Sequence, residues 1–291
     1  MSEQNFIENL YFQNDIKGGV LNLLGQQVTE RVGMPDTVSL PDYVSDEGNS
    51  LLKMSKTNEV STGFFFEKGD WIRGKIFTGP TAKVTRKPRE FVIEFEGSAE
   101  TGIESGLRLN FGKVPVIDFH THPSEEVEKL ALLEFRRLRP KEDERLSQRK
   151  AARVRMFVSF PSSGDIEGML IAQRLGASRL LMTPDSTILL VRTNVGIPFQ
   201  EITKLVSAPL IGKKYDELIA ERVAELFDRR VLTQQELTIS GIPSDIKQEY
   251  RQIFLRTLAE IGEEAGFACY FNFDPRSKVL RKAIKEKKNK K

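Results

Sequence analysis

The segment Val116-Ile-Asp-Phe-His-Thr-His-Pro123 constrains this chain more than any other stretch. Its β-branched and aromatic content and closing proline read as a short buried strand running into a turn. In an extended segment alternate side chains share a face, so His120 and His122, with Asp118 behind them, converge on one point. These are the only two histidines among 291 residues, so any chemistry that needs imidazole happens here. A divalent metal is the natural occupant of such a point; the alternative is a pair of histidines on an ordinary half-buried strand.

Composition narrows the setting. With 39% hydrophobic and 29% charged residues the chain reads as a soluble globular protein able to bury a sizeable core in one or two domains. The 44 basic and 41 acidic residues are interspersed, so the net charge of +3 implies neither nucleic acid nor membrane as a partner. The one basic concentration, Lys285 to Lys291, reads as a solvated end, with an electrostatic arm for RNA as the lesser reading. A lone cysteine, Cys269, excludes an internal disulfide framework and a Cys-rich zinc site, and fits a reducing compartment. No stretch reaches the roughly 20 apolar residues of a membrane span and no basic-then-apolar leader opens the chain, so the cytoplasm is the expected location. Residues 8 to 13, Glu-Asn-Leu-Tyr-Phe-Gln, match a viral-protease cleavage hexapeptide and carry no functional argument.

Along the chain, residues 1 to 41 read as an N-terminal appendage with a short helix near Phe6 to Phe12 and a segment Gly18 to Val32. A helix is expected from Asp42 to Lys56, against the objection of Gly48 in its middle. Strands are expected at Asn58 to Phe66, Trp71 to Phe77, Glu90 to Glu96 and Val114 to His120, the first three forming an antiparallel meander. Val127, Ala131, Phe135 and Leu138 recur at helical spacing, so Ser124 onward reads as an amphipathic helix ending at Pro140, with a second helix from Asp143 to Ala152. Arg153 to Phe160 returns to strand character, and Ser162 to Asp165 opens a helix. Two strands follow, Arg179 to Met182 and Thr187 to Arg192. From 198 onward the pattern is mainly helical, with stripes from Tyr215 to Leu226 and Ile246 to Ala265, and a last strand from Phe267 to Phe273.

A tetrahedral zinc held by two histidines needs a third protein ligand from Asp, Glu or Cys269 and keeps one position for water. Asp165, at the mouth of a helix and three residues after Ser162, is the best-placed carboxylate, although S-x-x-D is by itself most often a plain helix cap. Hydrolysis further needs a carboxylate that is not a ligand, and Glu59 at a strand edge is the candidate; alone it would read as a surface glutamate.

The ordered set Glu59-Val-Ser-Thr-Gly63, His120-x-His122-Pro123, Ser162-x-x-Asp165 resembles the JAMM (JAB/MPN) metalloproteases over about residues 42 to 195. The resemblance implies a cytidine-deaminase-like α/β core, a curved mixed sheet flanked by helices. It implies Zn2+ held by His120, His122 and Asp165, with Glu59 as general acid/base and Ser162 donating to the oxyanion. The implied activity is hydrolysis of a peptide or isopeptide bond, with a protein or peptide substrate and a ubiquitin-like conjugate as the family's best-known substrate class. The spacing departs from the family's: 39 residues separate His122 from Ser162, far more than usual, so residues 124 to 152 read as a helical insertion at the rim of the site. The expected organisation is an appendage (1–41), a JAB/MPN-like domain (42–197) and a mainly helical C-terminal region (198–291) with its basic tail. Ser163 is expected to cap the helix, and Asp118 to support an imidazole from behind.

Three other readings compete. Ile-Asp-Phe-His-Thr-His-Pro also resembles the first strand of metal-dependent amidohydrolase barrels, but those need later histidines that this chain lacks. A non-catalytic MPN-like scaffold would have lost motif residues that are all present here. A nucleic-acid-associated JAB-domain protein rests only on the basic tail.

Overall fold

The computed structural model describes residues 34–56, 58–87, 90–95, 115–138, 140–141, 144–174, 177–193, 208–229 and 244–284. The expected elements within residues 1–33, the Gly- and Glu-rich stretch around 97–106 and the basic tail lie outside them.

Ten strands form one mixed sheet. They are β1 (Thr37–Ser39), β2 (Asn58–Glu67), β3 (Asp70–Arg73), β4 (Phe77–Lys87), β5 (Glu90–Phe95), β6 (Ile117–Thr121), β7 (Ser178–Thr183), β8 (Ser186–Arg192), β9 (Phe267–Asn272) and β10 (Val279–Lys282). Their order is β1-β10-β9-β8-β7-β6-β2-β4-β5, with β3 also on β2. The helices are α1 (Asp42–Met54), α2 (Ser124–Leu138), α3 (Glu144–Val158), α4 (Ser163–Arg174), α5 (Ala208–Arg229) and α6 (Ser244–Ala265).

The strand period sorts side chains cleanly between two faces. Along β8, Ile188 and Leu190 join a core with Met169 of α4, Tyr215 of α5 and Tyr250, Phe254 and Leu258 of α6. Their neighbours Leu189 and Val191 join a second core with Val44 and Leu51 of α1, Phe64 and Phe119. The sheet is therefore buried on both sides, which accounts for near-continuous apolar runs such as Leu180-Leu-Met182. Gly48, the apparent flaw in α1, is where the helix presses onto the sheet: a Cβ there would meet Met182 Sδ at 2.6 Å and the Phe119 ring at 3.3 Å.

Strand β6 pairs antiparallel with β2 and parallel with β7, the one parallel pairing among the described strands. A parallel neighbour requires a crossover, and α2, α3 and α4 supply it. Helix α4 packs back against the sheet, with Ile166 and Met169 fully buried, so its N-terminus returns to the end of β6 where the histidines stand.

Several expectations change. Trp71 to Phe77 is not one strand: β3 ends at Arg73 and β4 begins at Phe77. The β2–β3 hairpin turns through Lys68 and Gly69, both with positive φ (51° and 94°), a pair that two-residue hairpins favour. Arg153 to Val158 is helix rather than strand, because Ala151 and Val154 pack one turn apart against Ala131 and Phe135 of α2. The region after 197 is more than helical: β9 pairs with β8, β10 with β9, and β1 from the expected appendage closes on β10. The divisions expected at 41 and 197 thus cross a continuous sheet.

Candidate metal centre

His120 lies near the end of β6, and His122 just beyond it. Thr121 points to the opposite face, where its hydroxyl accepts from the Val60 N–H (3.0 Å) and donates to Ser55 Oγ (2.6 Å). The His122 N–H donates to the Met182 carbonyl of β7 (3.2 Å). The strand end is held from both sides, and the imidazoles project together.

Asp165 reaches them from the first turn of α4. Ser162 is the cap: the Asp165 N–H donates to Ser162 Oγ (3.2 Å), and the Ser162 N–H donates to Asp165 Oδ2 (2.7 Å). This reciprocal arrangement, a capping box with Asp in the acidic position, fixes the carboxylate by helix-start chemistry alone. Ser163 is already inside the helix, so the capping role expected of it belongs to Ser162. Ser162 itself is exposed, and its hydroxyl donates to Oδ2 of the buried Asp165 (2.8 Å). The Pro161 carbonyl accepts from the buried Tyr215 hydroxyl (2.9 Å), so α5 of the C-terminal region secures the loop that delivers this motif.

The three expected ligands meet. His120 Nε2 stands 2.7 Å from Asp165 Oδ1, His122 Nε2 stands 3.4 Å from Asp165 Oδ2, and the two Nε2 atoms are 3.2 Å apart. All three residues are buried, and together they could hold a metal ion. Glu59 lies outside that cluster but beside it, with Oε1 3.6 Å from His122 Nε2 and its side chain 17% exposed.

The tautomer of His122 follows from its other nitrogen. Nδ1 is 2.8 Å from the Val158 carbonyl, which only accepts, so Nδ1 carries the proton and Nε2 of the neutral ring presents a lone pair to the cluster. Val158 belongs to the last turn of α3, so the crossover helices support the site directly.

Electrostatics agree with neutral imidazole beside ionised carboxylate. Burial, then the Arg179 charge, push the His120 pKa down to about 4. Burial works against ionisation of Asp165, but the pull of both histidines and Arg179 holds its carboxyl well below the usual range. Burial raises Glu59 and Asp118.

Sequence reasoning missed Arg179. Its guanidinium bridges Asp165 Oδ1 (3.2 Å) and Asp118 Oδ2 (3.3 Å) in the interior. Gly168 on α4 makes room for it, since a Cβ there would drive into the guanidinium. Asp118 was expected to support an imidazole; it serves Arg179 instead, while His120 Nδ1 has no hydrogen-bond partner among the described residues. Ser61, opposite His120 in the β2–β6 register, likewise has a buried hydroxyl with no partner among the described residues. The only signal available beforehand was the odd presence of Arg179 directly before the apolar run Leu180-Leu-Met182 in a strand.

Comparison with known proteins identifies no relative: no family model matches the chain, and neither the curated proteins nor the solved structures give a match.

Proposed function

We propose that the chain is a zinc-dependent hydrolase of the JAMM type, with a JAB/MPN-like fold, that cleaves a peptide or isopeptide bond in a protein or peptide substrate. One observation carries the metal: the His122 Nε2 lone pair points at another imidazole nitrogen and a carboxylate oxygen at 3.2 and 3.4 Å, with its own proton committed to Val158. Acceptors so placed need a shared proton or a cation between them; in the metal-free protein the 2.7 Å His120 Nε2–Asp165 Oδ1 contact can carry that proton, and a bound cation would replace it. Bonds of about 2.1 Å at tetrahedral angles would separate ligand atoms by about 3.4 Å, close to the two spacings at His122, whereas the His120–Asp165 pair at 2.7 Å would have to open slightly.

Charge supports a divalent ion. Glu59, Asp118 and Asp165 face one cation, Arg179, in this interior. Fully ionised, three carboxylates and one guanidinium leave two negative charges, the complement of one divalent ion.

A bound zinc would supply the Lewis acidity that lowers the pKa of water and polarises a carbonyl. Asp165 is pre-oriented by its capping box and by Arg179, and His122 by Val158. Glu59 is suited to receive a proton and return it, since burial raises its pKa toward neutrality. Ser162 is exposed beside the ligand Asp165; its hydroxyl proton is held by Asp165 Oδ2, so serving a developing oxyanion would require that hydroxyl to rotate away from the carboxylate.

The test is Glu59→Gln against a panel of ubiquitin-like fusions and short peptides, with zinc measured by elemental analysis. The variant should retain one zinc per chain and lose hydrolysis by about 100-fold or more. Full activity in the variant, or no zinc in the folded wild type, would overturn the reading; the latter is the result a non-catalytic scaffold would give.

A further inference from the structure

A cavity of about 180 Å3 opens where α3, α6 and the β7–β8 turn meet. It is smaller than the roughly 300–1,000 Å3 typical of sites for larger ligands, and suits one side chain. Ser159 and Phe160 line it. They follow Val158, whose carbonyl holds His122, so at about 3.5 Å per residue the cavity begins within about 10 Å of the candidate metal centre.

Its charges are unevenly committed. Arg155 is fully engaged, through Nε and Nη2 to Asp185 (2.7 and 2.9 Å) and Nη1 to Glu128 (3.1 Å). Those two lining carboxylates are thereby spoken for. Lys247 and Arg251, one turn apart on α6, also line the cavity; both feel the charge of Asp185, but no direct ion pair to a carboxylate is formed by either among the described residues. Counting the lining residues alone, three cations against two carboxylates leave one positive charge in excess; Glu125, outside the lining, also reaches Arg155 Nη2 (3.5 Å), so the excess falls on the Lys247 and Arg251 side. Apart from Ser159 and Ser186 the remaining wall is apolar: Arg251 stands over the Phe273 ring at 4.2 Å, and Phe160 is held by stacking on Phe254 at 4.3 Å.

We propose that this cavity is a specificity subsite for a carboxylate on a short aliphatic stem, bound by Lys247 and Arg251 with its stem against Phe160 and Phe273, and that its natural occupant is an acidic residue of the peptide substrate. The assignment of the occupant rests on the hydrolase reading above; the carboxylate chemistry does not. A paired ammonium and guanidinium recognise a carboxylate by charge-assisted hydrogen bonds, and a site built for that charge rejects the isosteric amide.

The experiment titrates the full-length Glu59→Gln protein, loaded with zinc, with the peptide Ala-Ala-Glu-Ala, its Ala-Ala-Gln-Ala counterpart and free glutarate, by calorimetry. The acidic peptide should bind about tenfold more tightly than the amide peptide. That preference should vanish in Lys247→Gln/Arg251→Gln and persist in Arg251→Lys, which keeps the charge should loss of the Phe273 contact disturb folding. Glutarate binding as tightly as the acidic peptide would keep the carboxylate site and overturn the substrate residue as its occupant. Equal affinity for the two peptides, a preference that survives the double substitution, or no saturable binding at millimolar concentration overturns the proposal. Because binding is read without turnover, a protein that hydrolyses nothing can still show the carboxylate preference, and an active one can lack it.

Discussion

Arg179 sits between two buried carboxylates, and its effect on the neighbouring imidazole is measurable directly. The folded-state pKa of His120 is depressed from 6.5 to about 4, so between those values the unfolded chain binds a proton there that the folded metal-free chain does not. The His120 contribution to stability therefore rises with pH across that window and is lost as pH falls through it. Arg179→Met removes one of the two leading causes, so the His120 midpoint should move up toward 6.5 and the window narrow. With two histidines in the chain, an NMR titration of the ring resonances of metal-free protein resolves the shift; an unmoved His120 would show that burial alone sets its pKa. The candidate ligands His120, His122 and Asp165 could be picked from sequence because spacing along a strand and a helix start is local chemistry. Arg179 could not, since its acceptor Asp165 lies 14 residues away across a helix and Asp118 lies on a different strand.

The α2–α3 pair, expected as an insertion, is an antiparallel hairpin with its own small core of Ala131, Phe135 and Ala151. It is tied down at its end: Arg155 and Ser159 both bond Asp185 of the β7–β8 turn, and Ser186 Oγ donates to the Ser159 carbonyl (2.8 Å). Phe135→Ala should cost this hairpin about 3 kcal/mol. Amide exchange should accelerate in α2 and α3 while β7 and β8 keep their protection, and zinc affinity should fall because His122 loses a fixed acceptor at Val158. Uniformly faster exchange across the molecule would show instead that the hairpin unfolds only with the sheet. The helix α2 was legible because its apolar period is unambiguous. The second half of α3 was not: Val154, Met156 and Val158 alternate as a strand would, while Ala151 and Val154 repeat as a helix would, and contact with α2 selected the helix.

At the scale of the whole molecule, the sheet brings residues from 34 to 284 into one framework, and the centre lies where β6 changes from an antiparallel to a parallel neighbour. An ion that binds the folded chain and not the unfolded one stabilises the fold, so chelation should lower the thermal midpoint and excess zinc restore it. The stabilisation should reach about 4 kcal/mol when free zinc is 1,000-fold above its dissociation constant. A midpoint indifferent to chelator and to zinc would mean that no ion occupies the cluster in the folded protein. The sequence by itself determined the candidate ligands, the neighbouring Glu59, the helical character of residues 124 to 138 and the paired stripes of the C-terminal helices, because each is written in a local period or a cap. Only the tertiary structure decided that β9 and β10 complete the central sheet, that Tyr215 secures the Ser162 loop, that Val158 sets the His122 tautomer and that Arg179 balances the buried carboxylates. Those are contacts between residues distant along the chain or on different elements, and strand pairing and charge burial are settled by which surfaces meet, not by any period along one segment.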